Sequence, residues 1–278
     1  MITFLKHTII KKIEKIPFLQ ILIYNNLNYF KFLFPHDKDY YALKILFKQS
    51  EKRAFLDIGG NIGLSTIGFR ELGFKKNKIL VFEPDLDLIK KYLNKIKNSY
   101  DKIKIFPFGL SSKNHIGILY RAYYKNMFFH FNNSFDKDYL KKKLFDNYGA
   151  KSKKFIIKSH KFKLNQFDNL KIKEDICFVK IDVEGFDHLV LYGMKNFIKK
   201  KVPAILIEYN HSNFSHIYNF LNKFYDCYFY DFFKNKLIIL SKNQIKMLLR
   251  GIILEKQFKK NSVNIFFLKK NYQIKSYW

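Results

Sequence analysis

The chain has 278 residues, 48% of them apolar and 19% aromatic, enough to pack a globular core and too hydrophobic for a disordered segment. It carries 52 Lys and Arg against 23 Asp and Glu, a net charge of +29 that favours phosphate-bearing or otherwise anionic partners. Two cysteines, Cys177 and Cys227, lie in apolar runs and exclude a disulfide framework or a cysteine-rich zinc site.

The cations do not single out a nucleic-acid face. They are spread along the chain, as KKK at 141–143, KSKK at 151–154, KKK at 199–201 and KK at 259–260, beside an excess of Asn, Ile, Phe and Tyr. An AT-rich genome biases residue choice in this way, so nucleic acid is not the expected partner.

The first fifty residues read as a helical extension packed on the core of the chain, with helices in FLKHTIIKKIEKI and YYALKILFKQ. The opening MITFLKHTIIKKIEKIPFLQILIY has no small-residue cleavage site, and lysines interrupt its apolar stretches. No later run reaches the ~18 apolar residues of a membrane span. A cytoplasmic, soluble protein is expected, and the basic amphipathic start also suits peripheral contact with an anionic membrane surface.

Residues 51–278 then alternate strands and helices, the pattern of an α/β fold with a mostly parallel sheet covered on both faces. AFLDI reads as a short buried strand and KILVFEP, IKIFPFGL, ICFVKIDVEG and PAILIEYN as further strands, with helices following the first, second, fourth and fifth. An insertion around 111–165 breaks the rhythm. There GILY and KFIIKSHKFKL suggest an antiparallel pair around a lysine-rich helix, DKDYLKKKLFDNYG, suited to forming one wall of a cleft. The tail through VNIFFLKK reads as two closing strands with a helix or loop between them.

Ligands of an open parallel sheet bind beyond the carboxyl ends of its strands. Asp57, Glu83, Asp182, Glu184 and Glu208 all fall at predicted strand ends in a chain poor in acids. One such acid is usually the N-cap of the next helix; the set predicts a site. Neither the G-x-G-x-x-G dinucleotide pattern nor a phosphate loop is present. What stands there is Asp57-x-Gly59-x-Asn61-x-Gly63, with Glu83 on the second strand placed for paired ribose hydroxyls. A ligand with a ribose and a cation but no pyrophosphate fits, and S-adenosylmethionine is such a ligand.

FLDIGGNIG, VFEP, FVKIDVEGFDHLVLYG and ILIEYN, in this order and spacing, resemble the FkbM family of S-adenosylmethionine-dependent methyltransferases over residues 36 to 270. The most specific element is Lys180-x-Asp182-x-Glu184-Gly185, followed by Leu191 and Gly193. The resemblance implies a class I methyltransferase (Rossmann-like) fold, a seven-stranded sheet whose last strand, VNIFFLKK, runs antiparallel. It also implies O-methylation, often of sugar or polyketide hydroxyls. Gly60 stands where the family commonly has Ala, an exchange expected to be harmless, and Leu164-Asn165 replaces its Leu-Asp.

The cofactor is accordingly expected on Asp57, Gly59, Gly60, Asn61, Gly63, Glu83 and Pro84. Catalysis is expected from His211, Asp182, Glu184, Lys180 and Glu208, with His211 or a carboxylate as base and Lys180 orienting Asp182 or holding an anionic group. Asp182, Glu184 and Glu208 also offer oxygens to Mg²⁺, yet no ligand spacing on one element supports a metal, and none is assigned. The expected acceptor is a sugar hydroxyl of a surface glycan or of its nucleotide-linked precursor, as in polysaccharide biosynthesis. RNA methylation, and an inactive methyltransferase fold that binds at a membrane surface, are the alternatives.

Overall fold

The computed structural model describes residues 35–124, 127–252 and 264–273; the helices expected in 1–34 lie outside the described residues. The YYALKILFKQ helix is present as a 3-10 turn, Lys38–Ala42, running into a short α-helix, Leu43–Leu46.

Four parallel strands form the centre: β1 (Ala54–Ile58), β2 (Ile79–Phe82), β8 (Ile176–Ile181) and β9 (Ala204–Glu208). The first three are buried at every position. That is why they read as near-continuous apolar runs, broken only by Asp57 and Lys180, instead of alternating ones. β3 (Ile103–Phe106) extends this sheet on the β2 side. On the other side lie β12 (Asn264–Lys269), β10 (Tyr225–Asp231) and β11 (Lys236–Ile239).

The order is β11-β10-β12-β9-β8-β1-β2-β3. The late strand β12 runs antiparallel, as the resemblance implies, and slots between β9 and β10. The sheet nevertheless has eight strands, not seven. The tail supplies three strands, because DCYFYD and KLII fold back as an antiparallel pair and add an extra edge.

The insertion forms a second sheet. β5 (His115–Tyr124) and β7 (Phe155–Asn165) make the expected antiparallel pair, in register over ten residue pairs. β6 (Met127–Ser134) was not anticipated; IKIFPFGL, expected as one strand, is split, and its last two residues form β4 (Gly109–Leu110), which pairs with the end of β7. The strands lie in the order β4-β7-β5-β6. The helix Lys137–Tyr148 packs Leu140 and Leu144 onto Ala122 of β5. Arg121, buried on the other face of β5, forms ion pairs with Asp85 and Asp87 beyond β2 and so locks the second sheet to the rim of the first.

Two apolar layers flank the main sheet. One is centred on aromatic rings: Phe55, fully buried, lies 5.3–5.8 Å from the rings of Phe47, Phe69, Phe74 and Phe178. Among the described residues no helix is long and apolar enough to cross a membrane. Phe55→Ala leaves a cavity that four neighbouring rings cannot fill, so it is expected to cost about 3–5 kcal/mol, read as a lower urea midpoint with unchanged slope.

Candidate functional site

β1 ends in a loop that can exist only with glycine at its first turn. Gly59 has φ +80°, and a Cβ there would lie 1.9 Å from the carbonyl oxygen of Asp182. β1 and β8 thus bring their following loops into backbone contact. Gly60 is less free than expected: a Cβ would lie 2.3 Å from Val81 Cγ1, closer than real side chains approach. In this chain an alanine there would force Val81 to move.

Beneath the loop sits a buried charge cluster. Asp57 is fully buried; its Oδ2 accepts from Ser65 Oγ at 2.5 Å and Thr66 Oγ1 at 2.7 Å, and its Oδ1 lies 3.5 Å from Lys180 Nζ. The Lys180 ammonium also donates to the Gly59 carbonyl at 3.2 Å and lies 3.3 Å from Asp182 Oδ2. Burial works against its charge, but the Asp182 and Asp57 carboxylates prevail and hold it well above the usual lysine range. Asp57 and Lys180 therefore act from below: they fix the glycine loop and Asp182 and do not themselves face a ligand.

Glu83, at the end of β2, clasps the same loop from the other side. Its carboxylate accepts from the Asn61 backbone N–H at 2.7 Å and the Asp85 backbone N–H at 2.9 Å. Burial pushes its pKa up to about 7, against the lowering effect of those two donors. Asn61 itself takes a left-handed conformation, φ 48°.

These elements border a cavity of about 440 Å³, within the range of small-molecule sites. Its lining includes Gly59, Asn61, Glu83, Pro84, Asp182 and Glu184 from the main sheet rim. The facing wall comes from the second sheet and its flanks, with Ser111, His115, Ile118, Tyr120, Asn133 and Phe135. Of the expected site residues, Asp57, Gly60, Gly63, Lys180, Glu208 and His211 do not line it. His211 is turned away because Asn210 caps the helix His211–Leu221, leaving the ring exposed and lying against Gly251. Glu208 is exposed beside the cavity. Partial desolvation, then the Asp182 and Glu184 carboxylates, push its pKa up to about 8, while solvent at its exposed side chain opposes that crowding.

Three residues of this corner carried no signal in the sequence. Lys143, from the helix Lys137–Tyr148, reaches Glu184 Oε2 at 2.5 Å; it is one lysine in a run of three. Burial raises Glu184 and Lys143 pulls it back. Asp187 is buried and accepts from the Val183 backbone N–H at 3.1 Å and from Asn213 Nδ2 at 2.9 Å. The same Asn213 amide donates to the Gly185 carbonyl at 2.9 Å, so this pair holds the loop that presents Asp182 and Glu184. Among the described residues no group of three or more His, Cys, Asp or Glu is arranged to hold a metal ion.

Residues 57–228, from the buried acid of β1 to the middle of β10, match the methyltransferase FkbM domain. The chain belongs to the FkbM methyltransferase family. No curated protein matches it. Among solved structures it is similar to the methyltransferase FkbM from Methylobacillus flagellatus KT, at 15% identity and a TM-score of 0.44, covering 78% of this chain and 43% of that one. This FkbM chain thus spans less than half the length of that protein. It is also similar to the plantazolicin methyltransferase BpumL in complex with SAH, at 11% identity and a TM-score of 0.38, covering 96% and 100% of the two chains. A precorrin-6y C5,15-methyltransferase from Geobacter metallireducens GS-15 has 9% identity and a TM-score of 0.37, covering 82% and 85%.

The methyl donor of this family, S-adenosylmethionine, is compatible with the cavity's chemistry. Glu83 offers acceptor oxygens of the kind ribose hydroxyls need, Asp182 offers negative charge that suits an ammonium or a sulfonium, and Phe82, Leu88 and Leu110 offer an apolar surface that suits a purine. Three outcomes are expected. As pH rises through about 7, Glu83 ionises and becomes a full acceptor, so donor affinity measured by calorimetry rises across that window. Glu83→Gln flattens this pH dependence and weakens binding roughly tenfold to a hundredfold at high pH. Lys180→Met strands the buried Asp57 carboxylate and costs about 3–5 kcal/mol of stability by denaturant unfolding, whereas Lys104→Met on an exposed part of β3 has no measurable effect.

Proposed function

We propose that this protein is an S-adenosylmethionine-dependent O-methyltransferase whose acceptor is a sugar hydroxyl, in a surface glycan or its nucleotide-linked precursor. The reading is carried by one observation. The cavity has a carboxylate-rich side on the main sheet and a separate wall, built by the second sheet, that carries hydroxyl and amide groups.

S-adenosylmethionine supplies a sulfonium-activated methyl group when bound. The work left to the chain is to hold the acceptor oxygen in line and to receive its proton. Positioning alone is worth as much as ~7–11 kcal/mol where the bound geometry is close to attack. A neutral sugar hydroxyl also needs a base. Glu184 lines the cavity, is raised by burial towards the working range of a base, and is kept in place by Lys143. Asp182 lines the cavity too, but its carboxylate is tied to Lys180 beneath the glycine loop. His211 is turned away from the cavity and is replaced by Glu184 in this role. The second wall, with Ser111, Tyr120 and Asn133, offers hydroxyl and amide groups of the kind that recognise sugars.

Purified protein with methyl-labelled S-adenosylmethionine is expected to label nucleotide sugars or extracted glycans and not RNA. Labelling of RNA alone would overturn the acceptor class. Glu184→Gln is expected to lower kcat roughly 10²–10⁴-fold with donor affinity unchanged by calorimetry, and an unchanged kcat would remove Glu184 from the role of base.

A further inference from the structure

Basic residues are not spread evenly over the folded chain. Residues 137–163 contain ten lysines and two acids, and nine of those lysines are exposed, Lys143 excepted. This segment is the helix and the β7 strand of the second sheet, the module that walls the cavity. Charge on a module beside a site has a partner to find.

The register of β5 and β7 narrows the place. Ile116 lies opposite Lys163, and Ile118 opposite Lys161. Residues directly opposite in an antiparallel pair share a face, as do residues two apart on one strand. The four therefore form one patch, apolar on one strand and cationic on the other. Ile116 is 61% exposed and Ile118 44%, and both lysines are exposed. Ile118 also lines the cavity. The patch thus begins at the cavity and runs outward over the sheet.

We infer that this patch docks the protein on an anionic phospholipid surface, with the cavity beside the bilayer. The chemistry favours a lipid surface over a polyanion free in water. Two adjacent branched aliphatic side chains are costly to expose, offer no flat ring for base stacking, and suit shallow insertion between acyl chains. Lysines beside them meet phosphate headgroups. The attachment is peripheral and needs no spanning helix. It is independent of which hydroxyl is methylated, so failure of the sugar assay would leave it untouched.

The test is sedimentation of the full chain with vesicles of phosphatidylcholine alone and of phosphatidylcholine mixed with phosphatidylglycerol. Binding to the mixed vesicles only is expected, declining with salt. Lys161→Gln with Lys163→Gln removes two headgroup contacts and is expected to lower the partition coefficient roughly 30-fold. Ile116→Ser is expected to lower it at every salt concentration. Retained S-adenosylmethionine binding by calorimetry shows that each variant has folded. As a control, Lys199→Gln with Lys200→Gln, on the exposed helix Lys195–Lys201, is expected to change binding little. Equal binding to both vesicle types would overturn the inference. So would an equal loss in the control, or an unchanged partition coefficient in both the patch double variant and Ile116→Ser.

Discussion

A single buried ammonium organises this molecule's rim. Lys180 rises from the middle of the main sheet and meets a carboxylate on its own strand's extension, a carboxylate at the end of the neighbouring strand, and a backbone carbonyl of the glycine loop. Removing a charge from water is costly unless it is fully compensated. This cluster therefore tolerates few arrangements, and the loops after β1 and β8 are drawn together by it. The left-handed turn at Gly59, the accepting carboxylate of Glu83 and the placement of Asp182 all depend on that closure.

The two sheets divide the work. The main sheet supplies the acids and the glycine loop, features set by strand ends and by the charge cluster beneath them. The second sheet supplies the opposite wall and, through Lys143, a cation that reaches across to Glu184. The Arg121 ion pairs with Asp85 and Asp87 fix one sheet against the other. A buried arginine that bridges two layers resists sliding, so the width of the cavity is set by this bridge.

How far the sequence could be read depended on the range of the interactions involved. β1, β2 and β8 were legible because complete burial leaves apolar runs that need no partner to be recognised, and β9 because its centre is buried in the same way. The pairing of β5 with β7 was legible from composition, but the break in IKIFPFGL was not: Gly109 and Leu110 leave the main sheet because the end of β7 lies beside them. In the site, the acids lie at or just past the ends of neighbouring strands, yet their directions were not readable. Asp57 points beneath the loop and Glu83 towards the cavity, though both end strands, because Ser65, Thr66 and Lys180 capture the first. Lys143 was invisible for a simpler reason. Its partner lies 41 positions away, and nothing in KKK distinguishes the third lysine from the other two.

The position of β12 has a consequence for how the chain comes together during synthesis. This strand lies between β9 and β10, and its first residue also bonds through Asn264 Nδ2 to Asp37 and Asp39, more than two hundred positions earlier. Until residues 264–269 have left the ribosome, β9 has an open flank and the β10–β11 hairpin has nothing to join. A nascent chain must keep a bare hydrophobic seam from the synthesis of β9 until that of β12, and helper proteins that shield such seams would find their binding site there.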